Sequence, residues 1–137
     1  MGDENSPRVR VGQPGAVLLH RWGRDLYEAF AEPPYLVGSA TREKRWRDVD
    51  VRVMLDDPTF AALTGGADPT HPVATCYRWA ALNLGISLWG QKVTGLPIDF
   101  QFQHEDHAPS GHRVALTYVR FEQPWDASGE PTEDGDR

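Results

Sequence analysis

Cysteine and long apolar runs are the scarcest features of this sequence. Cys76 is the single cysteine among 137 residues, which excludes a scaffold of intramolecular disulfides and fits a reducing, cytoplasmic compartment. No apolar run approaches the roughly 20 residues that span a bilayer. Residues 1–17 carry no basic stretch followed by a hydrophobic one, so we expect neither a membrane span nor a secretory signal. With 39% hydrophobic and 25% charged residues, the composition is typical of one globular domain.

Acidic charge is concentrated at the C-terminal end. Residues 122–137 contain six carboxylates and one arginine, and the rest of the chain accounts for only -1 of the net charge of -6. Repulsion therefore does not exclude a nucleotide or nucleic-acid partner. Both ends are rich in polar residues, glycine and proline, which predicts a mobile N-terminal arm at 1–15, a folded domain at 16–122 and a mobile acidic tail at 123–137.

Hydrophobic periodicity divides the domain into helices and strands. Spacings of three and four residues predict two helices, and strict alternation or short apolar runs predict four strands. The helices are expected at 16–32 and 72–93, and the strands at 35–37, 48–55, 96–103 and 113–121. Asp57-Pro58 and Gly65-Gly66 indicate a loop between the second strand and the second helix. The order α-β-β-α-β-β indicates an α/β or α+β fold, with a mixed β-sheet flanked by helices.

The helix predicted at 72–93 is expected to be largely buried. Its inner side is predicted from the apolar residues that share one side of a helical wheel, which are Val73, Tyr77, Ala80, Leu84 and Leu88. Cys76 lies in the same helix, where a core thiol is favoured over a nucleophile, because a reactive thiol needs an electropositive and accessible setting. Trp22, Trp79 and Trp89 are predicted to be core residues of the two helices.

Three aspartates on predicted strands are the main candidates for chemistry. Asp48 and Asp50 are two residues apart and therefore share one strand face, together with Arg52. Asp99 lies opposite the apolar face of another strand. If these strands pair, the carboxylates converge and raise one another's pKa unless a cation compensates. Mg²⁺ or Mn²⁺ suits such a group, and two ions could clamp a phosphoryl transfer. The alternative is that all three are surface aspartates of a half-solvated sheet.

A glycine-serine turn follows the first strand. Gly38 would allow a phosphate to approach the backbone, and Ser39 adds a hydroxyl. Four basic residues follow within a short stretch and could offset triphosphate charge; they are Arg42, Lys44, Arg45 and Arg47. A basic run of this kind is also typical of a solvated face.

Three motifs together resemble the nucleotidyltransferase superfamily related to DNA polymerase β. They are YLVGS, DVDVRV and PIDFQ, which span residues 35–103. The family pattern is a hydrophobic residue before Gly-Ser, a spacer, alternating acidic and hydrophobic residues, and a third carboxylate on a later strand. The spacer here, residues 40–47, is shorter than is usual in the family. The resemblance implies a minimal nucleotidyltransferase fold.

The resemblance also implies roles for the matching residues. Asp48 and Asp50 would bind two Mg²⁺ or Mn²⁺ ions, and Asp99 would hold the catalytic ion and lower the pKa of the attacking hydroxyl. The Gly38 amide and Ser39 would bind the β- and γ-phosphates of an NTP. Arg42 or Lys44 would touch the same phosphates, and the sequence does not decide which of the two does so.

The expected function is transfer of a nucleoside monophosphate from an NTP to an acceptor hydroxyl, with release of pyrophosphate. The acceptor is unknown and could be a nucleic acid, a protein or a small molecule. It would dock on the open sheet, or a partner protein or second subunit of a homodimer would supply the missing wall. The alternative is a catalytically inactive module of the same fold that binds a nucleotide or a partner protein. The resemblance is compatible with a protein of a toxin–antitoxin system or a protein encoded by a phage.

A histidine-rich segment offers a competing metal site. His104, His107 and His112, with two carboxylates between the first two, could ligate zinc. The segment lacks a helical pattern that would align the histidines, and Pro109 and Gly111 indicate a loop. We therefore favour a solvated loop over a zinc site.

Overall fold

A four-stranded mixed sheet organises the part of the chain that the computed structural model describes, residues 8–42, 46–71, 76–108 and 111–116. In chain order the elements are α1 (Gly15–Phe30), β1 (Pro34–Val37), a short 3₁₀ helix (Gly38–Thr41), β2 (Val49–Leu55), α2 (Asp57–Thr64), α3 (Tyr77–Thr94), β3 (Ile98–His104) and β4 (Arg113–Ala115). The strand order is β3-β2-β1-β4, with β1 antiparallel to β2 and β4, and β2 parallel to β3. The predicted α+β fold with a mixed sheet is confirmed.

The core lies on one face of this sheet. Alternate residues of β2 and β3 are buried, as strict alternation predicted. Trp22 of α1 packs edge-on to Phe100 of β3, with ring centroids 6.3 Å apart, and to Trp89 of α3 at 5.8 Å. Helices α1 and α3 approach closely at Gly90, where an added Cβ would lie 2.6 Å from the Trp22 ring.

The folded body extends N-terminal of residue 16, the predicted boundary. Backbone amides of Arg8 and Arg10 donate to the carbonyls of Thr41 and Ala40, at 3.0 and 2.9 Å. Val11 is buried in the core. These contacts brace the 3₁₀ helix that follows β1. The predicted acidic tail at 123–137 and the end of the predicted last strand, 117–121, lie outside the described residues.

Helix α2 occupies part of the predicted loop, so that expectation was wrong. The Asp56 carboxylate caps the helix by accepting from the Thr59 amide at 3.0 Å, and Gly65 ends it with a positive φ of 74°. Asp-Pro and Gly-Gly, which indicated a loop, are its two ends. A helix of eight residues has too few turns to produce a clear apolar stripe.

Helix α3 presents the opposite side to the core from the predicted one. Its buried residues are Trp79, Asn83, Ser87, Gly90 and Thr94. Tyr77 is 94% exposed, Leu84 61% and Leu88 53%, so their predicted burial was wrong, and Trp89 is also exposed. The helix begins at Tyr77 with Cys76 as its N-cap, later than predicted. Val73 lies outside the described residues.

Helix α3 turns its polar residues inward because it lies along the outer edge of β3, the end strand of the described sheet. Among the described residues, no other strand pairs with this outer edge of β3, and polar side chains of α3 bond to its backbone groups. Asn83 Oδ1 accepts from Phe102 N at 3.0 Å, Ser87 Oγ from Phe100 N at 2.8 Å, Trp79 Nε1 donates to Phe102 O at 2.8 Å, and Gln91 Nε2 to Ile98 O at 3.0 Å. Covering an edge in this way prevents pairing with another chain.

Within the described residues, no helix is both long enough and apolar enough to cross a membrane.

The contacts between α3 and β3 predict that replacing Asn83 by an apolar residue destabilises the folded chain. Asn83→Leu leaves the buried Phe102 N–H without an acceptor, which costs about 1–3 kcal/mol. We expect urea denaturation to show this loss in the free energy of unfolding. The control, Lys92→Leu on the exposed side of the same helix, should change it by less than about 0.5 kcal/mol. Equal stability of the two variants would contradict a structural role for the Asn83 contact.

Candidate functional site

Parallel pairing of β2 and β3 brings two of the predicted aspartates together. Asp50 lies directly opposite Asp99 in the register of the two strands. Both side chains lie on the face opposite the core and are partly exposed. Asp48 lies one residue before β2 and is exposed. The sheet therefore forms an in-register carboxylate pair, with a third carboxylate at its margin.

Arg52 supplies a positive charge to this pair. Its guanidinium lies 3.9 Å from Asp50 Oδ1 and 3.8 Å from Asp99 Oδ2. The same group donates to the backbone carbonyls of Val51 at 3.0 Å and Asp99 at 2.7 Å. Burial lowers the pKa of Arg52, while the two carboxylates act in the opposite direction. An arginine remains protonated in such a site, so the carboxylate pair has a compensating cation within the protein.

The Asp50 carboxyl is unfavourably placed as an anion. Burial is the main cause that raises its pKa, and the negative charges of Asp99 and Asp48 raise it further, against the attraction of Arg52. Hydrogen bonding between the Asp50 and Asp99 carboxyls, which requires that one of them is protonated, would also raise the pKa of Asp50. The position therefore favours either a proton or an additional cation between the two carboxyls.

Gly38 approaches this pair from the end of β1. Its φ is 76°, in the left-handed region that favours glycine. A Cβ added to Gly38 would lie 2.5 Å from Asp50 Oδ2, so no side chain fits there without displacing the carboxylate. The turn is closed by Thr41 Oγ1, which donates to the Gly38 carbonyl at 2.7 Å. Ser39 follows in the 3₁₀ helix and is partly buried.

A cavity of about 390 Å³ opens beside this turn. Its charged lining comes from three arginines on different elements, Arg42 after the 3₁₀ helix, Arg52 on β2 and Arg113 on β4. Arg42 is hydrogen-bonded to Nε2 of His112, another lining residue. The Arg113 guanidinium lies 4.8 Å from the centre of the Tyr35 ring. The volume is within the range of small-molecule sites, and the charge suits an anion.

Two of these arginines were not among the predicted site residues. Arg52 has a sequence signal, because it shares the strand face of Asp48 and Asp50. Arg113 has none, since β4 is far along the chain and joins the site only through its pairing with β1. Of the predicted phosphate-binding cations, Arg42 lines the cavity, and Lys44 lies outside the described residues.

The donor atoms suit one hard cation. Mg²⁺ takes one or two carboxylates and completes its shell with water and phosphate oxygens, which Asp50 and Asp99 can provide. Their ion pairs with Arg52 are longer than hydrogen bonds, so carboxylate lone pairs remain available. Within the described residues, no three His, Cys, Asp or Glu side chains are grouped as ligands of one ion. The geometry thus fits an ion whose shell is completed by water and phosphate oxygens better than an ion held by the protein alone.

The histidine-rich segment has a structural explanation. His104 is buried, its Nε2 lies 2.9 Å from Asp57 Oδ1, and its Nδ1 accepts from the Asp106 amide at 3.1 Å. Both ring nitrogens therefore have partners. The His107 ring lies 4.9 Å from that of His104, while His112 contacts Arg42. These contacts favour neither zinc nor the predicted solvated loop for His104.

Cys76 is also accounted for by the fold. Its thiol donates to the Thr64 carbonyl at 2.8 Å and accepts from the Trp79 amide at 3.4 Å. The side chain therefore links the end of α2 to the start of α3 and is a partly buried structural thiol.

The raised pKa of Asp50 predicts a pH-dependent gain in stability for Asp50→Asn. An aspartate whose folded pKa exceeds the unfolded value of about 3.9 disfavours folding once it ionises. The variant should therefore melt above the wild type at pH 7, by roughly 2–4 °C. The difference in Tm between the two proteins should vanish as the pH falls below the pKa of Asp50 in the unfolded chain. The aspartic acid is then neutral, as the asparagine is at every pH.

Asp56, whose pKa is lowered where that of Asp50 is raised, provides the control. Hydrogen bonding to Thr59 lowers the pKa of Asp56, so Asp56→Ala should lower the Tm at pH 7, with a loss that shrinks as the pH falls. Thermal melts followed by circular dichroism measure both variants. An Asp50→Asn protein that melts below the wild type at pH 7 would show that the attraction to Arg52 outweighs burial and repulsion.

Comparison with known proteins does not assign the chain to a family. No family model, no curated protein and no solved structure matches it.

Proposed function

We propose that the chain is a metal-dependent nucleotidyltransferase that moves a nucleoside monophosphate from an NTP to an acceptor hydroxyl and releases pyrophosphate. The supporting observation is a single arrangement. A cavity lined by three arginines opens beside the Gly38 turn, and one of those arginines, Arg52, reaches the in-register pair of Asp50 and Asp99. Cations for a polyphosphate and carboxylates for its metal ion thus lie on one face of one sheet.

The cavity would hold the triphosphate. Arg42, after the 3₁₀ helix, and Arg113, in β4, both line the cavity. Their guanidinium groups could therefore bind the same polyphosphate. Gly38 is exposed, so its backbone amide would be accessible to a phosphate, and Ser39 follows it in the chain. These contacts would orient the α-phosphorus toward the carboxylate pair, which is the positioning that phosphoryl transfer requires.

The carboxylates would hold Mg²⁺ or Mn²⁺. Asp50 and Asp99 suit one ion, and Asp48, whose charge acts on Asp50, would join Asp50 in holding a second ion that enters with the triphosphate. Bound metal neutralises charge on the phosphoryl oxygens and lowers the pKa of the acceptor hydroxyl. Asp99 is the more exposed of the paired carboxylates, and an acceptor would therefore reach it more easily than Asp50.

One observation favours the alternative, a catalytically inactive nucleotide-binding module. Arg52 already compensates Asp50 and Asp99, and it is fixed in place by two backbone carbonyls. One positive charge of the protein thus lies beside the two carboxylates before any metal ion binds. A module of this kind would bind a nucleotide through the arginines alone, without dependence on Mg²⁺.

The variant Asp99→Asn separates the two functions. It preserves shape but weakens the ion nearest the acceptor, so NTP binding should survive while pyrophosphate release falls at least roughly 100-fold. Calorimetry with ATP, GTP, CTP and UTP, each with and without Mg²⁺, measures binding. Pyrophosphate release is followed with the same NTPs, with self-modification as the default acceptor reaction.

The matched control is Asp56→Asn, a carboxylate outside the site that caps α2, and asparagine also caps helices well. It should leave binding and turnover unchanged. A folded Asp99→Asn protein with full turnover would rule out the proposed metal role of Asp99. NTP binding that is the same with and without Mg²⁺ would favour the inactive module.

The cavity arginines give an independent prediction. Arg113→Gln should raise the Kd for the preferred NTP about 10-fold or more, because a hydrogen bond to a charged group contributes about 1.5–3 kcal/mol. Arg21→Gln, on the exposed side of α1, is the control for a change in net charge and should have little effect. An unchanged Kd for Arg113→Gln would place the triphosphate outside this cavity.

A further inference from the structure

The cavity that three arginines line, here called the arginine cavity, has an uncharged end. At that end lie Met54 of β2 and Gln103 of β3, which are paired in the register of the parallel ladder. Both residues are partly exposed and lie on the sheet face of Asp50 and Asp99. We call Met54 and Gln103 the distal end of the arginine cavity. The proposed function does not yet give either residue a role.

The distal end lies beyond Arg52 when it is viewed from the Gly38 turn. Gly38 approaches Asp50, and Met54 is four residues further along β2, which is roughly 13 Å in a strand. The open face therefore carries, in one line, the turn for the β- and γ-phosphates, the carboxylates beside the α-phosphate, and the distal end. In an NTP the ribose and base extend from the α-phosphate away from the other two phosphates. The base would therefore lie at the distal end.

The two residues of the distal end offer different contacts to a base. Met54 provides an apolar, polarisable thioether, which packs well against an aromatic ring. Gln103 provides an amide for the edge of the base. Its Nε2 donates to Gln101 Oε1 at 3.3 Å, which orients the amide. Within the described residues, no group donates to Gln103 Oε1. One acceptor and one N–H of this amide are thus left for a ligand.

A second cavity adjoins the distal end and adds acceptors to it. Met54 lines both cavities. The second one is also lined by three carboxylates, those of Glu32 after α1 and of Glu105 and Asp106 after β3. Carboxylate oxygens accept hydrogen bonds and donate none. Arg113 lines both cavities as well, and in the proposed function it binds the triphosphate. A base at the distal end would therefore meet mainly acceptors.

We propose that the distal end selects NTPs whose base carries an exocyclic amino group, ATP and CTP, over those with an oxo group in its place; this inference rests on the proposed function. The 6-amino group of adenine or the 4-amino group of cytosine donates to Gln103 Oε1. The neighbouring ring nitrogen accepts from the remaining N–H of Gln103. Amide side chains recognise adenine through such a donor and acceptor pair. Met54 packs against the face of the base.

Guanine and uracil are disfavoured by the same atoms. Each carries an oxo group where adenine and cytosine carry the amino group, and this oxygen would face Gln103 Oε1 as one acceptor against another. If the Gln103 amide rotated to offer its N–H instead, it would lose its bond to Gln101. An oxo base would therefore leave desolvated acceptors unpaired, which is the situation that gives strong discrimination between similar ligands.

Pairs of nucleotides that differ at this group test the proposal. Inosine triphosphate (ITP) has the 6-oxo group where ATP has the 6-amino group, and UTP is related to CTP in the same way at position 4. Calorimetry of the chain with each nucleotide in the presence of Mg²⁺ measures the four affinities. We expect ATP to bind at least roughly fivefold more tightly than ITP, and CTP to exceed UTP by a similar factor, as is usual for a base edge paired by an amide.

Substitutions of Gln103 identify the group that reads the base. Gln103→Leu should remove most of the difference between ATP and ITP, because no amide remains. Gln103→Glu should weaken the binding of every NTP through its charge but keep the preference for ATP, since a carboxylate accepts from an amino group and cannot donate to an oxo group. Circular dichroism verifies that each variant is folded.

Arg113→Gln is the matched control, because it alters a contact to the phosphates rather than to the base. It should weaken the binding of ATP and ITP by the same factor and leave the ratio of their affinities unchanged. A general disturbance of the cavity would also affect both nucleotides alike. The ratio therefore reports on recognition of the base alone.

The outcomes distinguish this proposal from the proposed function. Equal affinities within each pair, or tighter binding of ITP and UTP, would overturn the selectivity while NTP binding itself stands. A preference for ATP that Gln103→Leu leaves unchanged would overturn the role of Gln103 and make it a solvated amide of the sheet surface. If none of the four nucleotides binds, both proposals fail, because the distal end has this role only in a cavity that holds an NTP.

Discussion

The parallel ladder between β2 and β3 is the constraint on which both the core and the candidate site depend. In its register Val51 lies opposite Phe100 on the buried face, and Asp50 lies opposite Asp99 on the other. A shift of one residue would bury Asp99 and expose Phe100 if it occurred in β3, and would bury Asp50 and expose Val51 if it occurred in β2. The hydrophobic effect on one face therefore determines the position of the carboxylates on the other, although the carboxylates themselves repel.

That repulsion is compensated within the protein by Arg52. Its guanidinium is held by two carbonyl oxygens and lies within 4 Å of both carboxylates. The site is therefore compatible with a folded chain before any ligand binds. The pKa of the Asp50 carboxyl nevertheless stays raised. A polyphosphate with its cation would bring opposite charge to Arg52 and to the carboxylates at the same time, which is the electrostatic basis of the proposed function.

A second constraint comes from the free edge of β3. Backbone groups at this edge need partners, and Asn83 and Ser87 of α3 provide them. Asn83 and Ser87 are thereby directed toward β3, and Leu84 and Leu88 are left exposed.

How much of the fold could be predicted from the sequence differs between strands and helices. Strand alternation was correct for β2 and β3, because side chains of a strand point to opposite faces whatever surrounds it. The same parity placed Asp50 and Asp99 on one face. The short helix α2 and the inward side of α3 were missed. A helix has several possible inward sides, and hydrophobicity selects among them only when the partner surface is apolar.

By itself, the sequence determined the alternation of β2 and β3, the shared face of Asp50 and Asp99, and the turn at Gly38. These depend on local backbone geometry and on burial of every second residue. Only the tertiary structure decided that Arg52 lies beside both carboxylates, that β4 brings Arg113 to the cavity, and that α3 turns Asn83 inward and Leu84 outward. Each of these depends on backbone or charged groups from elements distant in the chain, whose positions exist only once the sheet has formed.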